Sequence, residues 1–188
     1  MNEEHQGSLK QYVNDMIALE REISQAIKVQ KEDSATEKHL GLRAILQEIV
    51  TGGEARIEAL KSLSEEEGAS VGGALKEGIT AVVGVLAGIY GKIREHPVSR
   101  MVRDDIIALD VTVTSYGMLL TLGLAIGHKK CTDLAEEGLD ACPSLILRLT
   151  EMLPAIICEE LSKDGPLADP MAANKAVARI REAWEPQD

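Results

Sequence analysis

The stretch YVNDMIALEREISQAI, residues 12–27, decides the fold. Its apolar residues recur at steps of three and four, which is the period of an amphipathic α-helix. They are Tyr12, Met16, Leu19, Ile23 and Ile27. At about 100° per residue, Glu20 falls within about 50° of the centre of this apolar stripe. The pattern therefore predicts a helix with one carboxylate facing the core.

The same period predicts more helices on either side of this stretch. Helix A covers about residues 9–31, and helix B follows a polar turn at residues 32–34, with a soft spot at Gly52-Gly53. A third run, residues 75–95, predicts a helix inside a long connection. Helix C extends over about residues 98–126, with Gly127 as its stop. Helix D extends over about residues 132–161, with irregularities at Pro143 and Pro154.

The order of these helices defines an all-α fold class. One long connection between the second and third helices of a bundle is typical of ferritin-like folds. We therefore expect a ferritin-like four-helix bundle over residues 1–162, with a helical B-to-C crossover. Asp169-Pro170 predicts a short C-terminal helix that reaches Trp184. Residues 163–188 are then an extension whose helix packs on the bundle.

Composition excludes several classes of function. The chain has 188 residues, a formal net charge of -11 and no separate Lys/Arg cluster, so nucleic acid is not an expected partner. The polar, acidic N-terminus lacks a signal-peptide pattern, and a cytoplasmic location follows. The most membrane-like stretch, residues 111–127, has only 17 uncharged residues and acidic residues at one end, so we expect no membrane span.

Short motifs fall in order along the helices and resemble a known family. They are DMIALE at residues 15–20, RIE at 56–58, KEG at 76–78, YGML at 116–119, LAIG at 124–127 and LTE at 149–151. Over most of the first 160 residues, these motifs resemble the ferritin-like bacterial stress proteins typified by YciF and YciE. The resemblance implies a cluster of carboxylates and other polar ligands like a di-iron site.

Transferring that cluster residue by residue shows that most of its ligands are replaced. Glu20 matches the carboxylate of helix A, and Asp110 lies six residues before Tyr116 in helix C. The other ligand positions that the resemblance implies hold Ile49, Gly53, Thr112, Cys142 and Ile146. Independently, no Glu has a His three residues later, the spacing that di-iron bundles use. We therefore expect no cofactor, with iron or manganese at Glu20 and Asp110 as the alternative.

The buried Glu20 needs a partner, because an unpaired charge is costly inside a protein. Arg56 lies about 40° from the centre of the helix B stripe. The sequence therefore predicts a Glu20–Arg56 ion pair where a metal would sit, with residual metal binding as the alternative reading of Glu20. Asp110 is the only other candidate for an interior acid.

Tyr116 and two cysteines leave further alternatives open. Tyr116 lies at the centre of the helix C stripe, as a core aromatic residue or as a redox tyrosine. Cys142 and Cys158 are either inert buried thiols or a redox pair.

The leading hypothesis for function is a non-enzymatic, degenerate ferritin-like protein with a structural or interaction role, stress-related by resemblance. It self-associates as a homo-dimer through apolar helix faces. One alternative is a metal-dependent oxidase or storage protein that uses iron or manganese. The other is a bundle that holds an apolar small molecule in a dry pocket walled by Gly84, Gly88, Gly117 and Gly123.

Overall fold

The computed structural model describes residues 1–68, Tyr90 and residues 97–185, and all regular structure within them is helical. This confirms the all-α class. The α-helices are α1 (Glu3–Glu32), α2 (Leu40–Glu66), α3 (Val98–Ile126), α4 (Lys129–Ala141), α5 (Pro143–Ser162) and α6 (Ala172–Trp184), with a 3-10 turn at Ser34–Thr36. The helix predicted at residues 75–95 lies outside the described residues except for Tyr90, as do the motif at 76–78, Gly84 and Gly88.

Helix α1 begins six residues earlier than the apolar stripe predicts. The side chain of Asn2 caps the helix by accepting a hydrogen bond from the His5 backbone N–H at 2.8 Å. Glu3 and Glu4 then place negative charge in the first turn, where it interacts favourably with the helix dipole. Capping and charge therefore extend the helix over residues 3–8, which have no apolar stripe.

Helix α2 continues without a break through Gly52-Gly53, where the sequence predicts a soft spot. Gly53 is buried against α1, and a Cβ atom there would lie 2.6 Å from Ser24 Oγ and 3.2 Å from Glu20 Oε2. The glycine is needed for the close approach of the two helices, and this packing outweighs its low helix propensity.

Helix α3 has the predicted bounds, and the predicted helix D is two helices. Gly127 ends α3 in the left-handed conformation, with φ of 69°. After α4 ends at Ala141, α5 begins with Pro143 in its first turn. Proline lacks the N–H that a continuous helix requires, and its ring clashes with the preceding turn, so the chain stops and restarts at Cys142. Pro154, in contrast, lies inside α5 without ending it.

Three contacts between helix ends give the directions of the helices. Gln6 near the start of α1 donates to the backbone carbonyl of Glu67 after α2, so α1 and α2 are antiparallel. Glu67 also contacts His128, just after α3, at 3.0 Å, which brings the C-terminal ends of α2 and α3 together. Ser99 at the start of α3 contacts Glu160 near the end of α5, so these two helices are antiparallel. Helices α2 and α3 are therefore parallel.

The C-terminal helix α6 contacts α5, but none of the residues of α6 is buried. It begins at Ala172 rather than at Pro170, because the Asp169 side chain accepts from the Met171 backbone N–H at 2.9 Å and forms a turn there. Arg181 donates to Glu151 on α5 at 2.5 Å.

Two stretches of the described chain are long and apolar enough to cross a membrane by length and composition alone. They are Val98–Ile126 and Lys129–Ser162, and in each 33% of the most apolar window is buried in the bundle. The second stretch contains the break at Cys142. Core helices of helical bundles meet the same criterion.

Candidate functional site

An ion pair between α1 and α2 lies in the interior of the bundle. Glu20 is 2% exposed, and it accepts hydrogen bonds from Arg56, whose side chain is 12% exposed. Arg56 Nε lies 2.5 Å from Glu20 Oε1, and Nη2 lies 3.1 Å from Oε2. The structure thus brings together the two residues that helical phase places on facing stripes, with both carboxylate oxygens bound by the guanidinium group.

Tyr116 on α3 completes this site, which we name the Glu20 cluster (Glu20, Arg56 and Tyr116). Its hydroxyl group donates to Glu20 Oε1 at 2.9 Å, and its side chain is fully buried. The ring lies over Gly138 of α4, where a Cβ atom would approach the ring carbons to 2.4 Å. The cluster therefore joins α1, α2 and α3, and a glycine on α4 makes room for it.

The electrostatics of the Glu20 cluster favour an ionised pair and a neutral tyrosine. Burial opposes the charge on Arg56, but the hydrogen bonds and negative charge of Glu20 outweigh it and raise the pKa of the guanidinium group. Burial, followed by the Glu20 charge, raises the pKa of Tyr116 well above its usual range. The tyrosine is therefore a hydrogen-bond donor to the carboxylate rather than a second anion.

The five positions at which the resemblance implies a metal ligand and the chain has another residue are all interior. Ile49, Gly53, Thr112, Cys142 and Ile146 are buried. Thr112 donates its hydroxyl group to the Ala108 carbonyl of its own helix. Burial raises the pKa of Cys142 to about 11, which keeps this thiol protonated near neutral pH. Within the described residues, no group of three or more His, Cys, Asp or Glu is placed to hold a metal ion.

Asp110 is not an interior acid, so this expectation is wrong. Asp110 is exposed on the outer face of α3, whereas Asp105 and Asp104 on the same helix are buried. Helical phase distinguishes the two aspartates. Asp105 lies eleven residues before the buried Tyr116 and about 20° from it around the helix, whereas Asp110 lies about 120° from Tyr116. Glu20 and Asp110 therefore do not meet in one site.

A redox pair of Cys142 and Cys158 is also excluded by the geometry. Cys142 directly precedes α5, and Cys158 lies on the same helix sixteen residues later, which is about 24 Å along its axis. A disulfide needs Cα atoms within about 7 Å. All three cysteines are free thiols, two of them buried.

The glycines proposed as walls of a dry pocket have different roles where the structure describes them. A Cβ atom at Gly123 would lie 2.8 Å from Thr132 Oγ1, so this glycine permits close packing of α3 on α4. Gly117 faces open space, with nothing within 4 Å of a Cβ atom there. These two glycines do not line a common cavity.

A second buried polar cluster lies between α1 and α3, and the sequence gives it no motif. Asp105 and Gln30 are each 1% exposed, and Asp105 Oδ1 accepts from the Tyr90 hydroxyl group at 3.2 Å. We name Asp105, Gln30 and Tyr90 the Asp105 cluster.

Comparison of the chain with protein-family models, with curated proteins and with solved structures gives no match.

Proposed function

We propose that this chain is a degenerate ferritin-like protein of the kind typified by YciF and YciE, in which an ion pair takes the place of the metal site. Its role is structural or interactive rather than enzymatic, with a stress-related context following from the resemblance. The observation that carries this proposal is the engagement of both Glu20 oxygens by Arg56 and Tyr116. Both oxygens of this carboxylate are already hydrogen-bonded, so a cation would have to compete with the bound guanidinium and hydroxyl groups.

The energetics of the pair support this reading. A metal ion at Glu20 would have to displace Arg56 and leave its guanidinium group buried without a partner. Breaking a buried ion pair in this way costs about 3–5 kcal/mol. A di-iron centre in such a bundle draws carboxylates from all four helices and histidines from two of them, and Gly53 and Ile146 cannot supply such ligands.

The helix directions support the ferritin-like part of the proposal. Helices α1, α2 and α3, with α4 and α5 together as the fourth, form the order of a bundle with one long crossover. In the sequence, residues 69–96 separate the parallel helices α2 and α3, which is where such a bundle has its one long connection.

We further propose that the protein is cytoplasmic, has no membrane span and forms a homo-dimer through an apolar helix face. Support comes from α3, where Met118 and Leu124 are 51% and 63% exposed on a stretch without charge. An acidic protein repels its own copies elsewhere on its surface, so an uncharged face is the favourable place for them to meet.

Metal content tests the absence of a metal centre. The protein is purified without chelators, analysed for iron and manganese, and then titrated with ferrous iron. We expect less than one metal ion per ten chains, both in the wild type and in Arg148→Ala, which removes a surface cation as a control. Stoichiometric iron or manganese in the wild type would reverse the proposal and favour an oxidase or storage role.

Sedimentation velocity over a micromolar concentration series tests self-association separately. We expect the wild type to sediment as a dimer and Met118→Glu to sediment as a monomer with unchanged helical content. A wild type that stays monomeric at every concentration would remove the homo-dimer from the proposal and leave the metal argument intact.

A further inference from the structure

The Asp105 cluster contains three buried polar atoms without hydrogen bonds. Asp105 Oδ2 and both amide atoms of Gln30 have no hydrogen-bond partner and almost no contact with solvent. The Gln30 side chain nevertheless lies beside the carboxyl group, close enough to affect its pKa. An unpaired buried polar atom is costly. Three such atoms in one place therefore indicate a hydrogen bond between Asp105 and Gln30.

An ionised Asp105 would be a buried charge without compensation. Within the described part of the chain, Asp105 forms no ion pair, and the guanidinium group of neighbouring Arg103 binds Asp104 Oδ1 at 2.6 and 2.8 Å. Tyr90 gives the carboxyl group one hydrogen bond, which does not replace a counter-charge.

We propose that Asp105 carries a proton at neutral pH and donates it from Oδ2 to Oε1 of Gln30, forming a proton-operated latch between α1 and α3. One proton then satisfies two of the three unpaired atoms. Gln30 is close to the C-terminal end of α1, and its backbone carbonyl also accepts from Thr36 at 3.0 Å, so the latch holds the α1 terminus against the first half of α3. This inference does not depend on the proposed function.

The electrostatic surroundings agree with this geometry. Burial is the largest influence on Asp105 and raises its pKa to about 8, whereas the neighbouring Gln30 amide and the Tyr90 hydroxyl group lower it by less. Asp104 on the same helix raises it further, Arg103 is bound to Asp104, and Gln30 on α1 does not titrate. Burial, with the two aspartates, raises the pKa of Tyr90 well above its usual range, so the phenol remains a donor in both states.

Loss of the proton changes what Gln30 must do. The proton leaves Oδ2 for solvent, and the carboxylate then needs a donor, whereas Oε1 of Gln30 is an acceptor. The amide must turn by about 180° so that Nε2 faces Asp105, because its two ends differ only in hydrogen-bond role. The hydrogen bond from Asp105 to Gln30 therefore forms when the carboxyl group is protonated, and the Gln30 amide must reorient when it is ionised.

Carbon-13 NMR of the wild type tests the proton directly. The Asp105 carboxyl carbon, assigned by through-bond correlation, is followed from pH 4 to pH 9.5. We expect its titration midpoint near pH 8. A midpoint below pH 5 would overturn the proposal, and no variant has to fold for this result.

Thermal melts of Asp105→Asn provide a second test, because asparagine mimics the protonated acid at every pH. Below its unfolded value of 3.8, Asp105 is protonated in both states, and between 3.8 and about 8 only the folded state holds the proton. Its contribution to stability therefore falls as pH rises through this range. We expect the variant and the wild type to melt within a few degrees of each other at pH 5 and the variant to melt higher at pH 8.5.

Asp104→Asn is the matched control, since it removes the adjacent carboxylate and its pair with Arg103. We expect its melting temperature to gain less over the wild type between pH 5 and pH 8.5 than that of Asp105→Asn, because loss of the Asp104 charge removes only the smallest of the influences that raise the pKa of Asp105. If the difference between wild type and Asp105→Asn is the same at pH 5 and pH 8.5, or grows in favour of the wild type, Asp105 is ionised and the latch is refuted.

Discussion

At the scale of single residues, Glu20 and Arg56 depend on each other. Each is a charge that the interior tolerates only because the other lies within hydrogen-bond distance. Such a pair adds little to stability compared with two apolar residues, but losing one member leaves the other charge buried and unpaired. The cluster therefore acts as a constraint on how α1 and α2 meet.

Glu20→Ala is expected to destabilise the protein by about 3–5 kcal/mol, because Arg56 keeps its charge inside the bundle. Urea unfolding followed by circular dichroism measures this change. Glu48→Ala is the control, since Glu48 and Arg148 form an exposed pair whose loss costs less than about 1 kcal/mol. Equal effects of the two substitutions would contradict the assignment of Glu20 as a buried, paired carboxylate.

Tyr116→Phe is expected to cost about 1–2 kcal/mol, since it removes one hydrogen bond to a buried carboxylate that Arg56 still holds. The same substitution in a Glu20→Ala background should cost much less, because the acceptor is already gone. A double-mutant cycle in urea measures the coupling. An unchanged cost of Tyr116→Phe in both backgrounds would mean that the hydroxyl group contributes nothing to the cluster.

Helical phase accounts for how much of the site the sequence predicts. Glu20 and Arg56 could be placed on facing stripes from spacing alone. Spacing does not give the third partner, because the approach of Tyr116 to Glu20 depends on how three helices pack. The same arithmetic places Asp105 on the side of helix C that holds Tyr116, whereas the family resemblance points to Asp110.

At the scale of helices, boundaries follow local chemistry that apolar spacing does not contain. Asn2 extends α1 and Pro143 divides the predicted helix D, whereas buried Gly53 leaves α2 unbroken. The first two effects can be predicted from capping and proline chemistry. The third requires the partner helix, since only the packing of α1 explains a glycine inside α2.

Gly138→Ala is expected to destabilise the protein by about 1–3 kcal/mol, because the new methyl group would overlap the Tyr116 ring. Gly117→Ala is the matched control on α3, where a Cβ atom meets nothing within 4 Å. There, the gain in helix propensity should stabilise by about 0.5–1 kcal/mol. Chemical denaturation of both variants tests the assignment, and equal effects of the same sign would contradict it.

At the scale of the whole molecule, net charge opposes the compact state. The chain has 31 acidic and 20 basic residues, giving a formal net charge of -11, and the exposed charges repel one another at low ionic strength. The Debye length is about 10 Å at 0.1 M ionic strength, so salt weakens interactions between exposed charges. It has little effect on buried charge pairs. Ionic strength therefore distinguishes the surface from the interior.

We expect the melting temperature of the wild type to rise between about 10 mM and 500 mM sodium chloride, as screening reduces the surface repulsion. Over the same range, the destabilisation by Glu20→Ala should stay nearly constant, because the Glu20 cluster is buried. The smaller effect of Glu48→Ala should disappear, because that pair is exposed. Calorimetry of the three proteins at both salt concentrations measures these differences. If the effect of Glu20→Ala falls with salt as steeply as that of Glu48→Ala, then water reaches the Glu20 cluster and its ion pair is not buried.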